Sequence, residues 1–321
     1  MTPPPPAFAL KDLTHTYPRE TTPALAGVTV DIPAGETIAV LGPSGCGKST
    51  LLSLLGLLWD DRPGWAWAAA ARRAGRKLLG RPPDAAGTTG TVSFHDGRAA
   101  HPLLTLDANA KAGLRAAAFG FVLQSSYLLP HFSCLRNVGM PLALHGWPPA
   151  RRDQFAAALL RAAGTTPPPD PRPWRVDPTG DLWEARHRPP RGVSLGQRQR
   201  FAALRAVATD PTVVFADEPT SNLDPGNTRA VFDLLARWRD GTLLDGPRAE
   251  VGLPPPAAGS PRTLVLVCHD VQTARRAGDR FLLMHKGRLE ALFPRAEWDD
   301  RAAQIETILG LDPGGAGRLR T

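Results

Sequence analysis

The sequence predicts an α/β fold built on a mostly parallel sheet. Three observations lead there. Short, continuously apolar strands recur at residues 212–216, 264–268 and 281–284, as strands buried on both faces do. Helical stretches separate them. A glycine-rich turn, residues 42–47, joins an apolar strand at 37–41 to a Leu-rich helix at 48–58.

Taken in order, residues 8–41 alternate apolar and polar in short runs. Residues 28–32 and 37–41 read as strands about a turn at Pro33, Ala34 and Gly35. Residues 60–90 read as an insertion holding a short basic helix at 65–79, with Arg72, Arg73, Arg76 and Lys77, stopped by Pro82 and Pro83. Strands are predicted at 90–94 and 119–123, and helices at 151–163, 196–209 and 228–239. A Pro-rich stretch at 165–191 and a third irregular insert at 243–261 complete the chain's interruptions.

Composition excludes several classes. Hydrophobic residues make up 42% of 321 residues, enough for a core. The longest strongly apolar run, 51–59, is too short for a membrane span, which needs about 20 residues. The start has neither the basic nor the apolar region of a signal peptide. Three cysteines, Cys46, Cys134 and Cys268, fit no disulfide framework or paired zinc spacing, and a reducing cytosolic compartment is expected. The net charge of +8 rests almost wholly on Arg, with Lys only at 11, 48, 77, 111 and 286. Together with the Ala and Pro excess, this reads as a composition bias more than a binding signal.

Gly42, Pro43, Ser44, Gly45, Cys46, Gly47, Lys48, Ser49 and Thr50 match the phosphate-loop pattern G-x-x-x-x-G-K-[ST] in its required strand-to-helix context. Glycines let backbone N–H groups line an anion site, and the following helix adds its positive end. Lys48 is predicted to reach the β- and γ-phosphates and Ser49 to hold Mg²⁺. A second apolar strand ends in Asp217 and Glu218. Asp217 suits Mg²⁺, and Glu218 suits polarisation of an attacking water. Cys46 reads as a small loop filler and not a nucleophile, though a seat at a helix start favours a lower thiol pKa and modification by thiol reagents.

Further segments bring in a family. Residues 193–200, Val-Ser-Leu-Gly-Gln-Arg-Gln-Arg, resemble the signature motif of ATP-binding cassette (ABC) ATPases. Ser221, Asn222, Leu223 and Asp224 resemble their D-loop. Gln124 resembles their Q-loop, His269 their switch histidine, and Tyr17 their adenine-stacking aromatic. Residues 119–124, 128–132, Asn137, Val138, Pro141 and Leu142 are similar to the ATPases of macrolide-export and lipoprotein-release systems.

The resemblance implies a P-loop NTPase (RecA-like) parallel-sheet core, an antiparallel β subdomain and an α-helical signature subdomain near 125–210. The ATPase domain would span 7–292, with inserts near 60–90, 165–191 and 241–262, followed by a tail at 293–321. It also implies an ATPase subunit of a transporter, peripheral on the cytoplasmic face of the cell membrane. It would act as a homodimer with a separate membrane permease docked near residues 125–142. ATP would lie between one copy's phosphate loop and the other copy's Ser194, Gly196 and Gln197, with Asp224 across the interface. Glu218, His269 and Gln124 would be catalytic, and Ser49, Gln124 and Asp217 would hold Mg²⁺. Leu195 stands where the family has Gly, adding bulk near the nucleotide and restricting the backbone. The rival readings are a soluble ABC-type ATPase acting on nucleic acid or ribosomes, and a binding-only regulatory cassette. Nucleic acid is not the expected partner, because the sequence carries neither a long coiled coil nor a zinc-binding cysteine set.

Overall fold

A computed structural model describes residues 5–18, 20–59, 87–164, 180–254 and 261–310. It forms two compact units, residues 1–115 with 266–321, and residues 116–265.

In the first unit, β1 (Phe8–Thr16) pairs antiparallel with β2 (Leu25–Ile32) and with β4 (Gly87–His95). The short β5 (Ala100–Pro102) adds to β4. Alternation puts Phe8, Leu10, Ile32, Val92 and Phe94 on the covered face, where the Phe8 and Phe94 rings lie 5.1 Å apart. The strand read at 90–94 begins three residues earlier, at Gly87, where Gly and Thr mask the apolar alternation.

The other sheet of this unit holds β3 (Thr37–Leu41), β9 (Arg280–His285) and β10 (Arg288–Pro294). β3 runs parallel to β9, with Ile38 opposite Arg280 and Leu41 opposite Leu283, while β10 returns antiparallel. β8 (Thr263–Val267) is next to β3 in the strand order, and its last two residues belong to this unit. All five side chains of β3 are buried, as a central parallel strand requires. The helix after it, α1 (Lys48–Leu55), stops short of the predicted Leu58. Gly56 donates its N–H back to Leu52, and Leu57 turns to φ 55°, so the apolar run continues beyond the helix.

Residues 293–309 are packed against this unit. The Trp298 ring is 1% exposed and sits 4.3 Å from that of Phe281. Arg295 donates to the Gly278 carbonyl. Further helices in this part of the chain are α9 (Val271–Ala277) and α10 (Ala302–Leu309), the latter burying Ala302 and Ile305.

In the second unit, β6 (Phe119–Leu123) runs parallel to β7 (Val213–Asp217), from Phe119 opposite Val213 to Leu123 opposite Asp217. The first residues of β8 lie on the far side of β7, and the Thr263 N–H donates to the Thr212 carbonyl. The end of α2 (Ala108–Ala118) leads into β6. Around these strands pack α3 (Cys134–Leu144), α4 (Pro149–Gly164), α5 (Gly180–Ala185), α6 (Leu195–Val207), α7 (Pro225–Arg239) and α8 (Asp245–Glu250).

Two expectations change here. The third insert is not wholly irregular: α8 lies within it, tied to α4 by Arg161 with Glu250 and by Gln154 to the Glu250 carbonyl. Asp210 receives Arg262 at 2.7 Å and Arg248 at 3.4 Å, holding both sides of that insert. The last part of the second Pro-rich stretch forms α5, which buries Leu182. The basic helix expected at 65–79 lies outside the described residues. Among the described residues, no helix is long and apolar enough to cross a membrane.

The burial of Trp298 makes a test. Trp298→Ala should destabilise the protein by about 3–5 kcal/mol in urea unfolding, the range for a large core aromatic. An unchanged midpoint would show that this segment is a solvated tail.

Candidate functional site

The first unit carries the phosphate loop. Gly47 sits at φ 103°, and a Cβ there would lie 2.4 Å from the Ala24 carbonyl oxygen, so both conformation and space require glycine. Because Gly47 is also the residue before α1, that helix begins without a side-chain cap. Its first-turn N–H groups therefore retain their anion-binding character. Lys48 is only 6% exposed. Its Nζ donates to the Gly42 carbonyl at 2.7 Å and the Pro43 carbonyl at 3.0 Å. The Cys46 N–H donates to the Pro43 carbonyl, and the Cys46 carbonyl accepts from Gly287, fixing the loop at both faces.

For Cys46 only the direction suggested for the thiol pKa is reversed. Burial pushes the thiol up, and this outweighs the nearby Lys48 charge and the backbone donors that pull it down. The side chain is 3% exposed, so the helix start does not make it a reactive thiolate.

The Tyr17 hydroxyl is 2.9 Å from Thr50 Oγ1, at the end of the phosphate loop. Trp59 meets Tyr17 edge-on at 5.0 Å, and His15 meets both rings. Trp59 went unnoticed in the sequence, where its only signal is an aromatic ending the apolar run. His269 follows β8 and is exposed, one residue before Asp270, which caps α9 through Gln272 and Thr273 N–H groups.

The second unit carries the remaining predicted residues. The β6 to β7 register ends with Leu123 opposite Asp217, so Gln124 and Glu218 leave neighbouring strand ends. Glu218 adopts φ 47° and Asn222 φ 65°. Such left-handed positions are costly for residues with a side chain and gather where the turn is over-determined. Here Ser221 donates to the Glu218 carbonyl from both its hydroxyl and its N–H. Asp224 caps α7, accepting from the Asn227 N–H at 2.9 Å. Donation from the Asn227 side chain and backbone draws the Asp224 carboxyl below its usual range.

Ser194 and Gln197 form a capping box at the start of α6. Ser194 Oγ accepts from the Gln197 N–H at 3.1 Å, and Gln197 Oε1 accepts from the Ser194 N–H at 2.9 Å. The cap uses a lone pair of the serine and leaves its hydroxyl proton to donate elsewhere. Leu195 occupies the first helical position, where any L residue fits, and is 39% exposed. Its backbone is therefore not the restriction the sequence suggested. The tight position is Gly196, where a Cβ would fall 2.3 Å from Asn227 Cγ. Asn227 thus joins the D-loop cap to the signature helix, a role no short motif revealed.

A family profile described as ABC transporter matches residues 25–74 and 78–221, more than half of the chain. The chain belongs to the ABC transporter family. Two solved structures resemble this ABC protein along nearly its whole length. One is the ATP-binding cassette MJ0796 in a dimeric post-hydrolysis state bound to ADP and Pi. The other is a dimeric structure of MJ0796 described as a bacterial ABC transporter cassette. Each is 26% identical, covers 90% of this chain and 98% of its own, and superposes with a TM-score of 0.63. The α/β architecture with its mixed and antiparallel sheets is that of the ABC cassette.

Two tests follow for this ABC chain. Gly196→Ala should cost about 1–3 kcal/mol in thermal unfolding, because Asn227 must move. Leu195→Gly should cost at most about 1 kcal/mol; the reverse order would place the crowding at Leu195. In peptide-mapped alkylation, Cys46 should react more slowly than free cysteine at pH 8. Its rate should still be rising above pH 9.0, the thiol's ordinary value. A faster reaction than free cysteine would show a lowered pKa instead.

Proposed function

We propose that this ABC cassette binds and hydrolyses ATP and powers a separate membrane permease, of an export or lipoprotein-release type. The observation that carries the reading is the Lys48 ammonium, buried and held by two carbonyls at a helix start with no side-chain cap. A triphosphate supplies the negative charge that such a cation and such a helix end favour.

Tyr17 stacks on the adenine, and the backbone of residues 42–50 cradles the phosphates. Water attacks the γ-phosphorus, the bond to the β,γ-bridging oxygen breaks, and ADP leaves. Glu218 draws a proton from that water, a contribution of roughly 10²–10⁴-fold in rate. His269 contacts the γ-phosphate. Magnesium takes oxygen ligands and keeps several waters. Ser49 hydroxyl, Gln124 amide and Asp217 carboxylate make a donor set of that kind. The ion, when bound, supplies charge neutralisation at the transferred phosphoryl group.

The chain carries each motif once, so a complete site needs a second copy, whose Ser194, Gly196 and Gln197 face the γ-phosphate. The dimeric MJ0796 structures, one with ADP and Pi, support both hydrolysis and pairing. The permease docks near residues 125–142, where Tyr127 and Leu129 present exposed apolar surface. This arrangement puts the cassette on the cytoplasmic face of the membrane.

Glu218→Gln should keep ATP binding and lose turnover by at least about a hundredfold, measured as steady-state phosphate release beside nucleotide titration. Lys48→Ala should weaken binding itself. Unchanged hydrolysis in Glu218→Gln would remove that residue from the mechanism.

A further inference from the structure

The segment after β6 runs from Gln124, assigned above to the reaction, to Tyr127, assigned to the docking face. Tyr127 is 67% exposed at φ 44°, an unfavourable backbone for a tyrosine that something must hold. Two side chains of α6 grip this segment on either side of Gln124. Gln199, 2% exposed, donates from Nε2 to the Leu123 carbonyl at 3.0 Å. Arg205 donates from Nη2 to the Ser126 carbonyl at 2.8 Å and from Nη1 to the Tyr127 carbonyl at 2.7 Å. Hydrogen bonds from a guanidinium are roughly twice as strong as neutral ones.

The two grips are about 9 Å apart along the helix, which makes a stiff span of the residues between them. Farther on, Asn137 fixes the loop at Leu129, Phe132 and Ser133. The same helix begins at Ser194. One rigid element therefore carries the signature serine at its start, the residue before Gln124 near its middle, and the residues after Gln124 near its end.

We propose that Arg205 and Gln199 are positioning residues that make α6 move Gln124 and Tyr127 as one piece. A contact made by the partner copy's nucleotide at Ser194 then reaches the docking face through three side-chain to backbone bonds. This rests on the function proposed above.

The chain contains only two tyrosines, Tyr17 and Tyr127. Full-length protein labelled with 3-fluorotyrosine should give two ¹⁹F resonances, assigned by Tyr127→Phe. A magnesium-bound, non-hydrolysable ATP analogue, added at concentrations where the dimer forms, should shift both in the unsubstituted chain. In Arg205→Met the Tyr17 signal should still respond while the Tyr127 response is lost, and Arg205→Lys should restore part of it. Gln199→Leu, which leaves Arg205 in place, should lower kcat for ATP about tenfold with KM within about twofold.

A full Tyr127 response in Arg205→Met, or a silent Tyr127 beside a responding Tyr17 in the unsubstituted chain, overturns the proposal. If Arg205→Met does not fold, Arg205→Lys and Gln199→Leu decide it: an unaltered Tyr127 response and unaltered kcat in both overturn it. Silence of both signals at saturating nucleotide, with no hydrolysis, sinks the functional reading itself.

Discussion

A lysine ammonium held among carbonyl oxygens, nearly out of water, is the constraint around which the first unit is organised. Burying a cation is costly unless it is hydrogen-bonded, and the Gly42 and Pro43 carbonyls meet part of that cost. For those carbonyls to point inward, the chain must turn tightly between β3 and α1. That is why glycine stands where Ala24 leaves no room for a side chain. The same burial that confines Lys48 pushes the neighbouring Cys46 thiol pKa up, against the pull of the Lys48 charge.

Several helix starts are closed by their own side chains. Ser194 closes α6 with Gln197, Asp224 closes α7 with Asn227, and Asp270 closes α9. Each satisfies donors that would otherwise stay unpaired. At α1 the equivalent residue is Gly47, which has nothing to offer, and the donors remain for a ligand. A cap at Ser194 is compatible with a contact to phosphate, because a hydroxyl accepts and donates at once. The carboxylate cap at Asp224 can only accept, and its depressed pKa keeps it charged while it does so.

Much of this was legible in the sequence where chemistry is local. Strands β3, β6, β7 and β8 are short apolar runs, and the phosphate loop and carboxylate pair announce themselves by spacing. Helix α3 was hidden, since Gly139 and Pro141 break its pattern and tertiary packing of Val138 and Leu142 holds it together. α8 and α10 are too short to show a period. Asn227, Gln199 and Arg205 act on backbone or space far along the chain, and no residue-type pattern encodes such a partner. The direction of the Cys46 shift depended on how desolvation balances charge, which only coordinates reveal.

The carboxylate of Asp210 is shared by two arginines, one on each side of residues 255–260, and Arg248 also donates to the Pro254 carbonyl. Both edges of that stretch are thus clamped independently of what lies between them. Loop closure grows more costly only slowly with length. A fluorescent protein, affinity tag or sensor domain spliced into this stretch would leave the Asp210 pairs that hold its two edges in place, giving a site for a reporter between β7 and β8.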